Sequence, residues 1–134
     1  MERNQIDHDL DGKGQNSIDM WACLCHFSAL LGLIWWVPLS TIWIPFGHLL
    51  GPLVVWLLKK NVSPVIDEAG RESLNFQLTM TAYGIACALA FMGGISKFLV
   101  MALVALDGFW VVQAGMTASK GKSFRYPLVF WRIL

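Results

Sequence analysis

The stretch whose reading decides the fold runs from Met20 to Leu58, "MWACLCHFSALLGLIWWVPLSTIWIPFGHLLGPLVVWLL", 39 residues without one Asp, Glu, Lys or Arg. A helix needs about 20 apolar residues to cross a bilayer, so the run is long enough for two spans. Pro38 and Pro45, with Ser40 and Thr41 between them, mark the turn. Outward from this stretch, a third apolar block covers about Asn75 to Ile95 and a fourth about Lys97 to Ser119. Spans are therefore expected at about 20–37, 43–58, 75–95 and 97–119. Over all 134 residues 56% are hydrophobic and 14% charged, more apolar than one water-soluble core of this size can enclose. The expected fold class is all-α, an integral membrane four-helix bundle with a short cytoplasmic amphipathic helix and an interfacial C-terminal segment.

Residues 1–19 carry Glu2, Asp7, Asp9, Asp11 and Asp19 and no basic lead into a short apolar core, so no signal peptide is visible. This stretch reads as a disordered acidic cytoplasmic tail, with 20–134 as the four-span membrane domain. With four spans, one side of the membrane holds Arg3, Lys13, Lys59, Lys60, Arg71, Lys120, Lys122, Arg125 and Arg132, and the other only Lys97. The excess of basic residues places both termini in the cytoplasm, in a multi-pass protein of the bacterial inner membrane. Trp21 and Trp56 fall at expected inner ends and Trp35, Trp36 and Trp43 at expected outer ends, where indole favours the interface. Cys23, Cys25 and Cys87 are too far apart, or on opposed sides of one helix, to bond, and read as buried small residues.

Lipid gives no hydrophobic reward for helix association, so close packing depends on small residues. Span two has Gly47-His-Leu-Leu-Gly51, followed by Pro52, which removes a backbone donor. Span three aligns Ala82, Ala86 and Ala90, span one has Ser28 and Gly32, and span four has Ala114 and Ala118. The loop "KKNVSPVIDEAGRES" contains a helix start at Ser63-Pro64, apolar residues at helical spacing and an Asp67/Arg71 pair one turn apart. It reads as a short amphipathic helix that ends near Gly70. "KGKSFRYPLVFWRIL" mixes basic residues with Phe124, Tyr126, Phe130 and Trp131, which suits an anchor on anionic lipid.

"LCHFSALLG" (24–32), "GPLVVWLLKK" (51–60), "ESLNFQLTM" (72–80) and "GKSFRYPL" (121–128), in that order and spacing, resemble a family of small bacterial four-span membrane proteins of unknown function. That family is labelled Tic-twenty-like, after the plastid inner-envelope protein-import component. The resemblance runs from Trp21 to the C-terminus. The matching positions are His26, Pro52, Asn75, Phe76, Gln77, Gly121, Tyr126 and Pro127. It implies an inner-membrane protein with cytoplasmic ends and suggests a link to protein transport; it brings no catalytic residue.

Four polar groups inside the apolar blocks are candidates. His26 lies on a stripe with Ala22 and Ala29 and reads as an interhelical hydrogen-bonding group, with proton relay as the sharper alternative. Asn75 and Gln77 sit at the start of span three, as caps or bonds to a neighbouring helix. Asp107 falls near the middle of span four, on the face of Ala114 and Ala118, and an ionised Asp there costs roughly 2.5–3.5 kcal/mol. His48 and Tyr83 lie at similar depth, so the three form a candidate cluster whose assembly depends on helix rotation. A structural hydrogen bond, an ion or proton path and a contact to a partner's span all remain open for Asp107.

No Ser-His-Asp order, phosphate-binding glycine loop, HExxH or CxxC pair is present, which points away from an enzyme, a metal or a cofactor. The expected partners are the lipid bilayer, with anionic lipid at the basic segments, and further copies or other membrane proteins; nucleic acid is not expected. The leading functional reading is an accessory or scaffold subunit, related through the resemblance to protein translocation or insertion. The alternative is an oligomeric pore or proton/ion carrier using Asp107.

Overall fold

The computed structural model describes residues 2–34, 47–90, 94–129 and 132–134. Among them the chain is all-α, with no strand. Helix α1 spans Glu2–Phe27, and after a 3-10 turn, Ser28–Leu30, comes the single helical turn α2, Leu31–Ile34. Helix α3 is Gly47–Lys59, α4 is Pro64–Ala90 and α5 is Gly94–Ala118. Helix α1 packs on α3, α4 and α5, and α4 packs on both α3 and α5. Pro38, Pro45, Trp35, Trp36 and Trp43, which carried the expected turn and outer interface, lie outside the described residues.

Helix α5 holds a 22-residue segment, Lys97–Ala118, that is long and apolar enough to cross a bilayer. Helix α3 is described from Gly47 to Lys59, and the start of the expected second span, from residue 43, lies outside the described residues. Among the described residues α5 is the helix that meets both the length and the hydropathy of a span. The acidic stretch 1–19, read as disordered, is helical from Glu2 onward, and Gln15 donates to Asp19 one turn later at 2.8 Å.

Helix α4 begins where the sequence signals it. The Ser63 hydroxyl accepts from Val65 N at 3.3 Å, and Ser63 O accepts from Ile66 and Asp67 N at 3.1 Å, with Pro64 as first helical residue. It does not end near Gly70, as the loop reading expected, but continues to Ala90. Gly70 is a contact and not a stop: a Cβ there would overlap the Trp56 indole. The expected separate amphipathic helix is therefore the first two turns of a longer one.

The tightest crossing in the bundle brings the 3-10 turn and α2 against α3. A Cβ on Gly51 would overlap the Ser28 carbonyl, and one on Gly32 would overlap the His48 backbone. Backbone touches backbone there, and only glycine leaves the room. Helix α5 ends in a Schellman motif, with Lys122 N on Thr117 O at 3.3 Å and Gly121 N on Ala118 O at 3.0 Å. Gly121 has a φ of +69°, which a side chain strains.

After that turn the chain runs back along the bundle without regular structure. Residues 122–129 and 132–134 form a strap, and Tyr126 is buried in the core with Ala29, Phe76, Met80, Val111 and Ala114. Of the aromatics expected to anchor this segment at the interface, Tyr126 docks between helices with Phe124 packed against it, while Phe130 and Trp131 lie outside the described residues. Away from the strap, the end of α4 and the start of α5 are exposed, with Leu89 at 72%, Ile95 at 67% and Phe98 at 79%.

Candidate functional site

The buried polar residues gather beneath the strap. His26, near the end of α1, is 1% exposed, and its Nδ1 lies 3.0 Å from the Tyr126 hydroxyl. Burial pushes the Tyr126 phenol well above its ordinary value. The hydroxyl therefore stays protonated, and the direction of its bond with His26 Nδ1 is set by the tautomer of the imidazole. The Tyr126 ring stacks on Phe76 of α4, centroids 3.9 Å apart and planes within 8°. Phe124 meets Tyr126 edge-on at 5.1 Å.

Asn75, 2% exposed on α4, uses both halves of its amide on the strap backbone. Its Oδ1 accepts from Ile133 N at 3.0 Å and from Leu134 N at 3.2 Å, and its Nδ2 donates to Leu134 O at 3.5 Å. One turn earlier, Glu72 pairs with Arg132 at 3.2 Å. The Tyr83 hydroxyl donates to Leu128 O at 3.5 Å. Four side chains of α4, Glu72, Asn75, Phe76 and Tyr83, therefore hold one strap. This is the part of the site that sequence reasoning missed, since it assigned Asn75 to capping or helix contacts, counted Arg132 only among the basic residues that set orientation, and did not pair it with Glu72.

Between α4 and α5, Gln77 Nε2 donates to Asp107 Oδ1 at 3.0 Å. One turn further along α4, Thr81 donates its hydroxyl proton to Gln77 O at 2.7 Å and lies 2.8 Å from His48 Nε2 of α3. A hydroxyl has one proton to give, so His48 must donate here through Nε2–H. Asp107, His48 and Tyr83 do not meet as the sequence suggested. The glycine crossing sets the rotation of α3 and sends His48 to Thr81, while Tyr83 turns to the strap and Asp107 to Gln77.

The small-residue stripes divide in the same way. Ala114 and Ala118 are buried at 0% and 4%, whereas Ala82, Ala86 and Ala90 of α4 face outward. Gly47 is half-buried, Pro52 is buried, and Gly121 and Pro127 are exposed. At the end of the bundle near the α3–α4 loop, Asp67 accepts from the Trp56 indole N–H at 2.7 Å and pairs with Arg71 at 2.9 Å. Partial burial raises the Asp67 carboxyl, but the bonds from Trp56 and Arg71 and the charges of Arg71 and Lys60 outweigh it and hold it below its ordinary value. Lys60 lies 4.7 Å above the Trp56 ring and Lys59 4.3 Å above Trp21. Trp56, Lys60, Asn61, Asp67, Arg71 and Leu134 line an open cleft of about 390 Å³. Among the described residues no three His, Cys, Asp or Glu side chains come together to hold a metal ion.

A family model described as the magnetosome magnetite crystal formation protein family, MamF/MmsF, matches residues 18–134. No curated protein and no solved structure matches the chain. The family match overturns the Tic-twenty-like resemblance: the stretches quoted for it, from "LCHFSALLG" to "GKSFRYPL", all fall inside the matched region. The link to protein translocation rested on that resemblance alone and goes with it.

Proposed function

The chain belongs to the magnetosome magnetite crystal formation family, and we propose that it is a small scaffold subunit of the magnetosome membrane, without catalytic chemistry of its own. In this reading it crosses the membrane several times and keeps both termini on the cytoplasmic side, where nine of its ten Lys and Arg residues fall. Its bundle surface holds other membrane proteins or further copies of itself at the place where the mineral forms, and its basic segments lie on anionic lipid.

The observation that carries the reading is the division of α5. Between Phe98 and Ala118 its one charged residue, Asp107, bonds inward to Gln77, while Phe98, Met101, Leu106, Phe109, Val112 and Met116 are exposed. An apolar outer face and an inner face of isolated hydrogen bonds suit a membrane scaffold. The pore or carrier alternative needs a continuous polar lining, and around Asp107 the described residues show instead a single hydrogen bond, from Gln77.

Crosslinking in native membranes followed by identification of the products tests this. The expected result is a set of discrete adducts with magnetosome membrane proteins or with a second copy. Monomer alone, both after crosslinking and after purification in mild detergent, overturns it.

A further inference from the structure

The contact between Gln77 and Asp107 is one hydrogen atom short. Gln77 is fully buried, and while its Nε2 donates to Asp107 Oδ1 at 3.0 Å, its Oε1 is buried with no donor among the described residues. Buried carbonyl oxygens are normally partnered, because an orphan forfeits its bond to water and gains nothing in return. No other donor reaches it: the Ser73 hydroxyl and the Trp110 indole N–H are themselves buried without a partner among the described residues, and other donors are committed elsewhere. The Thr81 hydroxyl gives its proton to Gln77 O, His48 gives Nε2–H to Thr81, and the Tyr126 hydroxyl lies on His26. Exchanging the oxygen and nitrogen of the amide does not help, since a carbonyl oxygen would then face a carboxylate oxygen.

Asp107 has the complementary deficit. Among the described residues it makes no other hydrogen bond and has no Lys or Arg partner; the ion pairs there are Asp67–Arg71 and Glu72–Arg132. The titratable groups on the elements packed around it are His26 of α1, His48 of α3, Glu72 of α4 and Tyr126 of the strap, none of which supplies it with a cation. A carboxylate in the middle of an apolar helix without a counter-charge is strongly disfavoured.

We propose that Asp107 and Gln77 form a proton-binding site: the second carboxyl oxygen of Asp107 carries a proton and donates it to Gln77 Oε1, closing a two-bond acid–amide ring between α4 and α5. The added proton satisfies both deficits at once. A proton is the cation that two oxygens suffice to hold, whereas a metal ion asks for four or more ligands. The ring ties α4 to α5 by two bonds; loss of the proton leaves one bond and a buried charge, so the contact between these helices follows proton supply. The inference is independent of the scaffold reading.

Infrared spectroscopy of the full chain in lipid nanodiscs at neutral pH tests it. The expected spectrum contains a carboxylic C=O band that is lost in Asp107→Asn and moves to the higher frequency of a free acid in Gln77→Leu. Asp107→Asn also keeps a two-bond amide–amide ring, so its thermal midpoint is expected to stay within a few degrees of the parent. The proposal fails if the parent protein shows no carboxylic band, or if the band survives Asp107→Asn. It fails equally if Asp107→Asn loses its fold, because the carboxylate charge would then be what the bundle requires.

Discussion

The two ends of the α4–α5 pair are built on different principles. At the strap end, His26, Asn75, Phe76 and Tyr126 are each no more than 3% exposed and are tied by directed bonds or stacking to another segment. At the far end, Ile85, Leu89, Ile95, Phe98 and Met101 are all more than half exposed. Directional bonds specify one arrangement, because any other leaves buried groups unpaired. An apolar surface specifies only its solvent. The strap end thus holds the information that sets helix positions, and the far end is a face for lipid or for another protein.

The largest effect is expected where the strap end begins, at the glycine crossing. Gly51→Leu puts a side chain into the Ser28 carbonyl, a backbone atom that cannot move aside. Overpacking ordinarily costs about 1–3 kcal/mol and more where backbone is hit, so loss of the folded protein in detergent is expected. Size-exclusion chromatography reads it; a monodisperse variant would show that the crossing is looser than described.

Next is Asn75→Leu, which strips the partner from two backbone N–H groups, those of Ile133 and Leu134. Ile133 and Leu134 are exposed, so water takes up the freed N–H groups and each lost bond costs only its net worth of about 0.5–1.5 kcal/mol. The expected outcome is a bundle that survives with its strap detached, read as faster tryptic cleavage after Arg125. Tyr126→Phe is smaller: stacking on Phe76 is kept and only the bond to His26 is lost. A fall of about 1–2 kcal/mol in unfolding free energy is expected. No change would mean that His26 is satisfied in another way.

Much of the strap end was not legible in the sequence, for physical reasons that differ by residue. Ser63-Pro64 announces the start of α4 through local chemistry, and Asp67/Arg71 through helical spacing, and both are found. Gly70 reads locally as a stop, but its use is long-range, as room for Trp56. The strap reads as a lipid anchor because a groove between helices and a bilayer interface select the same amphipathic residues. Asp107, His48 and Tyr83 share a depth, which spacing shows, but not a direction, which the Gly32/Gly51 crossing imposes. Sequence likeness had the same limit: the quoted stretches were enough to indicate a family of small membrane proteins, yet the match over residues 18–134 assigns them to a different one.

The smallest effect belongs to the far end, and it tests the comparison most directly. Phe98 is 79% exposed, so in the isolated chain Phe98→Ala deletes a side chain that leaves no cavity. Exposed substitutions away from special features stay within about 0.5 kcal/mol, and the thermal midpoint of the monomer in detergent is expected not to move. Lipid and protein partners then separate by a second reading of the same variant. If lipid covers this face, Phe98→Ala leaves crosslinked adducts in native membranes at parental levels, because one ring less barely alters an apolar surface. If a partner helix covers it, the truncated ring opens a gap in packed protein, and the adducts fall while the monomer midpoint still holds. A drop in the monomer midpoint itself would show that the far end is packed within the chain, and the division between the two ends would be lost.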